Sequence, residues 1–288
     1  MSESLSIQWF PGHMAKTRRL ITESLPLIDG VVEIIDARIP VSSRNPELDS
    51  IIKDKPRIIL MNKADIADEN SNRRWIAYYA KKGIPALPVD CKTGKGLNGF
   101  SNKVNDVMGD CLQKFRDKGM TGRTLRIMVV GVPNVGKSSF INRMAKNNKA
   151  KVADRPGVTR GNQWFNIGGG IELMDTAGVL WPKFEDPLVG ERLAFTGAVK
   201  DVVTDIELLS IRLLELMKKT CKQNLEQRYK ISISDEMDGY ELLEGIGRKR
   251  GMLISGGEID TERAAVMVLD EFRAGKLGRI TLELPEDE

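Results

Sequence analysis

Along the first two-thirds of this chain, short apolar runs alternate with stretches of helical spacing. Six runs read as strands: 31–36 (VVEIID), 57–61 (RIILM), 84–89 (IPALPV), 126–130 (RIMVV), 163–167 (QWFNI) and 171–174 (IELM). Helical patterns at 70–82, 97–118 and 137–146 separate the parallel ones, which predicts βαβ units. Gly168-Gly169-Gly170 lies between the last two runs and predicts a hairpin, hence one antiparallel edge on a parallel sheet. From about Pro187 the strand pattern stops and helical spacing takes over, as at 206–218 and 261–274. Leu208, Ile211, Leu214 and Leu216 are the predicted apolar stripe of the first of these. The expected organisation is an α/β domain over 1–184, a mostly parallel six-stranded sheet with helices on both faces. A smaller all-α domain over 185–288 follows. No internal repeat or low-complexity segment interrupts it.

The fourth run leads into Gly131-Val132-Pro133-Asn134-Val135-Gly136-Lys137-Ser138, a full match to G-x-x-x-x-G-K-[ST]. Strand, glycine loop and helix is the context that motif needs. Its glycines let successive N–H groups turn toward phosphate oxygens, and the helix N-terminus adds a favourable dipole. Lys137 is then expected on the β and γ phosphates and the Ser138 hydroxyl on Mg²⁺, with Asn134, Val135, Gly136 and Ser139 completing the cradle. The sixth run delivers Asp175-Thr176-Ala177-Gly178. A D-x-x-G at a strand end places Asp175 beside the water shell of Mg²⁺ and the Gly178 N–H near the γ phosphate. In Arg155-Pro156-Gly157-Val158-Thr159, Thr159 is the expected switch threonine, closing on Mg²⁺ when the γ phosphate is present.

The second run is followed by Asn62-Lys63-Ala64-Asp65, an N-K-x-D box. Asp65 is expected to accept from the guanine N1–H and N2–H₂ edge, which adenine lacks, so GTP and GDP are favoured over ATP. Asn62 orients the loop, and the Lys63 stem covers the base face. Asp90-Cys91-Lys92 after the third run occupies the last base-contact position, where S-A-K is usual. Asp90 and Cys91 are candidate base contacts, with the backbone of Cys91 the plausible donor. The guanine box precedes the phosphate loop, the reverse of the ordinary order. The pattern is that of a circularly permuted P-loop GTPase domain, with 118–126 bridging the old termini.

Charge and cysteine content narrow the setting. The chain has 288 residues, with 44 basic and 40 acidic for a formal charge of +4, which neither requires nor excludes nucleic acid. Cys91, Cys111 and Cys221 are far apart and odd in number, so disulfides and zinc are not expected. Apolar runs stop short of a membrane span, and Gln8, His13, Lys16 and Arg18 interrupt any secretory segment. A cytoplasmic monomer is the expectation. Lys218, Lys219, Lys222, Arg228, Lys230, Arg248, Lys249 and Arg250 form either a solvated face or a patch for RNA phosphate.

Trp9-Phe10-Pro11-Gly12-His13-Met14-Ala15-Lys16-Thr17, Asp36-Ala37-Arg38-Ile39-Pro40 and Leu180-Trp181-Pro182-Lys183, together with the permuted order, closely resemble the ribosome biogenesis GTPase A (YlqF) family. The resemblance covers nearly the whole chain. It implies GTP hydrolysis coupled to late maturation of the large ribosomal subunit, with the precursor particle and ribosomal RNA as partners. A nucleotide-gated RNA-binding module and a signalling GTPase with protein partners are the alternatives. Val179 stands where many GTPases carry a water-orienting Gln. The resemblance offers His13, the sole histidine, in its place, a surface or RNA contact being the other reading. It also implies a K⁺ at Asn134, as opposed to a purely structural asparagine.

Overall fold

Seven consecutive buried residues make β1 (Gly30–Asp36), the pattern of a strand covered on both faces. In this computed structural model, which describes residues 11–52, 55–120, 122–146, 163–178, 180–181, 184, 186–199 and 205–285, β1 lies inside a six-stranded sheet. The others are β2 (Arg57–Asn62), β3 (Ala86–Pro88), β4 (Leu125–Val130), β5 (Gln163–Gly168) and β6 (Ile171–Asp175). Their order is β3-β2-β1-β4-β6-β5, all parallel except β5 against β6. The sheet is as the sequence predicts. β3 is shorter than 84–89 because Pro85 and Pro88 lack ladder donors, which an edge strand tolerates.

Helices surround the sheet: α1 (Pro11–Ser24), α2 (Glu47–Ile52), α3 (Glu69–Lys81), α4 (Phe100–Val107), α5 (Gly109–Asp117) and α6 (Lys137–Lys146). Ile21, Leu48 and Ile52 pack with Val31, Met128 and Met174. Trp75 and Tyr79 of α3 pack with Ile35, Ile59 and Met61. Phe100 and Phe140 meet edge-on at 5.1 Å, joining α4 to α6. The single helix expected at 97–118 is instead two, broken at Met108. Met108 turns onto Gly30, where a Cβ would overlap its side chain, so burying that side chain bends the helical run.

The chain divides into two units. One takes Phe10–Lys183 and the segment from Glu283 onward; the other is Phe184–Leu282. Residues 283–285, expected in the helical domain, thus belong with the sheet. The Glu283 carboxylate accepts from the N–H groups of Val41 (2.6 Å) and Ser42 (3.1 Å) and from the Ser42 hydroxyl. Its carbonyl accepts Trp75 Nε1–H at 2.9 Å.

The second unit holds α7 (Pro187–Phe195), α8 (Ile206–Tyr229), α9 (Gly239–Lys249) and α10 (Thr261–Arg273). Asp186, Asp205, Asp238 and Asp260 cap the four N-termini, Asp238 in a reciprocal box with Glu241. Over the predicted stretch of α8 the buried positions are Leu209, Ser210, Leu213, Leu214 and Met217; of the predicted stripe only Leu214 is buried, while Leu208, Ile211 and Leu216 are half-buried. Several basic residues are internally committed. Arg228 and Arg250 converge on Glu271, Lys222 reaches Asp235 at 2.9 Å, and Lys218 donates to the carbonyls of Asp235 and Met237. Lys219, Lys230, Arg248 and Lys249 are exposed.

Replacing Glu283 by Ala leaves the N–H groups of half-exposed Val41 and buried Ser42 without their acceptor. Glu283→Ala is expected to cost about 2 kcal/mol, measured by urea unfolding. An unchanged midpoint would show that the tail carries no weight in the first unit.

Candidate nucleotide site

β4 ends at Gly131, where a Cβ would overlap the Ile34 carbonyl of β1, so the loop leaves the sheet through a passage only glycine fits. The loop closes at Gly136, at φ +105, against the side chain of Asn62. Asn62, 4% exposed at the end of β2, faces two ways. Its Nδ2 donates to the Val135 carbonyl at 2.5 Å, and its Oδ1 accepts the Cys91 N–H at 2.9 Å. One buried amide thus joins the phosphate loop, the N-K-x-D box and the base loop, although these lie around residues 135, 62 and 91.

On the base side, the Ala64 N–H donates to the Val89 carbonyl at 3.1 Å, and Asp65 is exposed. The Asp90 carboxylate accepts from the Lys92 and Thr93 N–H groups at 2.8 and 3.2 Å and from the Thr93 hydroxyl. Burial would raise Asp90, but those hydrogen bonds outweigh it and hold the carboxyl low. The carboxylate thereby shapes its own turn. Burial, with the neighbouring Asp90 charge, pushes the Cys91 thiol up to about 12, leaving it a neutral wall.

On the phosphate side, a cavity of about 440 Å³ is lined by Pro133, Asn134, Lys137, Ser138, Gln163 and the 175–178 segment. Lys137 Nζ donates to the carbonyls of Gly131 and Val132 at 2.9 and 3.0 Å. Burial lowers this ammonium to about 8, with the Asp175 charge opposing. Burial likewise raises Asp175 against the pull of Lys137. Asp175 Oδ1 is buried without a hydrogen-bond partner among the described residues, while Ser138 and Ser139 are exposed. An orphaned carboxylate oxygen and a serine hydroxyl on one cavity fit Mg²⁺, which takes few protein ligands and keeps water and phosphate oxygens. Bound there, the ion would neutralise developing phosphate charge. Gly178 packs against Pro133, where a Cβ would stand 2.9 Å from the Pro133 Cα. The D-x-x-G end therefore abuts the phosphate loop.

Two predicted site residues lie outside the described residues: Thr159, and the side chain of His13, whose backbone is in the first turn of α1.

The comparisons agree with this geometry. The family described as "50S ribosome-binding GTPase" matches residues 126–234, beginning at β4, so that Asn62 and Asp65 fall ahead of it. "Ribosome biogenesis GTPase A" of Bacillus cereus is 47% identical, covering 98% of this chain and 95% of that protein. The Thermotoga maritima protein of that name is 31% identical over the same shares. The chain belongs to the ribosome biogenesis GTPase A family. Among solved structures, GDP-bound TM YlqF is 28% identical with a TM-score of 0.69, covering 93% of this chain and all of that one. GNP-bound YlqF from T. maritima gives 0.64 at 27% identity, covering 95% and 100%. The chain is a circularly permuted GTPase that hydrolyses GTP, with a role in ribosome assembly.

Two buried charges, Asp36 and Arg38, stand beside the box, without a role legible in the sequence. Asp36 Oδ2 lies 2.9 Å from Lys63 Nζ. Their D-A-R run marks the family, but no local pattern shows that β1 ends next to β2.

Phosphate beside Lys137 restores its full charge, so guanine-nucleotide binding is expected to take up a proton once pH passes about 8. Affinity for GDP then falls as pH rises through that value. Calorimetric titration at about pH 8.5, in buffers of different ionisation heat, should register uptake that is absent at about pH 7. Equal heats after buffer correction would place the Lys137 proton elsewhere.

Proposed function

We propose that this GTPase acts in late maturation of the large ribosomal subunit, binding the precursor particle in the GTP form and leaving after hydrolysis. The observation that carries the reading is the joint at Asn62, which unites guanine and phosphate loops in one site, in a chain whose matching family is described as 50S ribosome-binding. Asn62, Lys63, Ala64, Asp65 and the Cys91 backbone take the base. Val135, Gly136, Lys137, Ser138 and Ser139 take the phosphates. Ser138, Thr159 and Asp175 through water hold Mg²⁺, and Gly178 meets the γ phosphate. Asp90 supports its loop. Ribosomal RNA meets the exposed Lys219, Lys230, Arg248 and Lys249, since Lys218, Lys222, Arg228 and Arg250 are engaged within their own unit.

His13 orients the attacking water on the particle, since Val179 offers no hydrogen bond. A positioned group of this kind contributes about 10²–10⁴-fold to rate. GTP turnover should rise on isolated large subunits, and His13→Ala should lose most of that rise while binding nucleotide normally. Single-turnover hydrolysis on saturating particles measures it. A normal stimulated rate in His13→Ala removes the catalytic role, failure to bind particles makes His13 an RNA contact, and no stimulation of the unaltered protein sinks the assembly reading.

Asn134, exposed on the cavity with φ of 59°, supplies an oxygen for K⁺. Turnover should then be faster in KCl than in NaCl at equal ionic strength. Equal rates would remove the cation.

A further inference from the structure

Asp36 closes β1 in register with Asn62, and the Ala37 N–H donates to the Asn62 carbonyl at 2.8 Å. The carboxylate is 1% exposed and carries two cations. Arg38 chelates it, Nε to Oδ1 at 2.9 Å and NH2 to Oδ2 at 2.8 Å, with the Arg38 N–H adding 3.0 Å to Oδ1. That fork already neutralises the charge, so a purely structural salt bridge needs nothing more. Lys63 nevertheless reaches Oδ2 at 2.9 Å, from a backbone at φ +61°, a left-handed conformation that costs a non-glycine residue energy. The ammonium is thus held at the buried carboxylate while 24% of the side chain remains exposed. Burial alone would raise Asp36, but Arg38 and then Lys63 outweigh it and hold the carboxyl far below the usual carboxylate range, so the anchor stays charged at any working pH.

We propose that Asp36 is a positioning residue of the guanine pocket, fixing the Lys63 ammonium so that the lysine stem forms a ready-made apolar wall for one face of the base. The proposal rests on the reading of Asn62–Asp65 as the guanine box. A lysine otherwise surrenders its rotamer freedom only when the base arrives, and a wall set beforehand spares that loss.

A double-mutant cycle on GDP affinity, with Asp36→Asn and Lys63→Met in the full chain, tests it. Asp36→Asn is expected to weaken GDP and GTP alike by roughly tenfold when Lys63 is present, and to cost nothing further in Lys63→Met. The same fold loss in both backgrounds overturns the proposal, because Asp36 would then act through Arg38 and general stability. If thermal melting shows Asp36→Asn unfolded, Asp36→Glu, which keeps the charge and shifts its position, takes its place in the cycle: a loss confined to the Lys63 background supports the anchor, and an equal loss in both backgrounds, or none, overturns it. Asp65→Asn is the control for the box itself and should shift preference from guanine to xanthine nucleotide. Retained guanine preference there means that the box was misread, whereas a shifted preference with equal losses around the cycle condemns only the role of Asp36. No ribosomal particle is used, so neither outcome bears on the assembly role.

Discussion

The nucleotide site depends on the buried side-chain amide of Asn62. Its donor side holds the phosphate loop at Val135 and its acceptor side holds the base loop at Cys91. Gly136 lacks a side chain where that amide must sit. Loss of the amide would strand a buried carbonyl and a buried N–H together, each costing about 1–3 kcal/mol. The joint also explains why cutting and rejoining the chain elsewhere is harmless. What the site needs is three loop ends meeting at one edge of the sheet, and the ends of β3, β2 and β4, with β1 between the last two, supply those in either chain order.

Charge burial around this joint follows two regimes. Where a carboxylate has a cation on each oxygen, as Asp36 does, attraction outweighs desolvation and the group stays ionised. Where partners are fewer, desolvation wins. Lys137 is lowered and Asp175 raised, each shift opposed by the charge of the other. Glu33 in β1 sits between: Arg44 and Arg57 both reach Oε2, burial still raises it, and Oε1 lacks a partner among the described residues. The first regime builds scaffold, while the second leaves polar groups unsatisfied where phosphate and a cation can complete them.

Features encoded within a few consecutive residues were legible in the sequence. The phosphate loop, N-K-x-D and D-x-x-G could be placed at strand ends because glycine, turn and apolar run are all local signals. Less visible was whatever depends on a distant partner. Helical composition ran unbroken from 97 to 118, and only the packing of Met108 on Gly30 shows why the helix stops. The buried stripe of α8 came out right only at Leu214, because leucines occupy 208, 209, 213, 214 and 216 and their spacing alone admits more than one face. Asp90 stands at a base-contact position, but nothing local shows that its carboxylate also closes the turn through Lys92 and Thr93. The Asp36–Lys63 pair joins two strands, and no short window contains both.

The return of the chain at Glu283 makes the helical unit an insertion and not an appendage. A stop placed after Leu282 would look like a trim of the second unit, yet it would strip Val41, Ser42 and Trp75 in the first of their partners. Ser43, next in that loop, receives the Asp36 N–H through its hydroxyl oxygen at 3.0 Å. A shortened chain would thus bring its damage close to the guanine box, so a truncation phenotype of this protein is no evidence about the helices removed unless residues 283–285 are left in place.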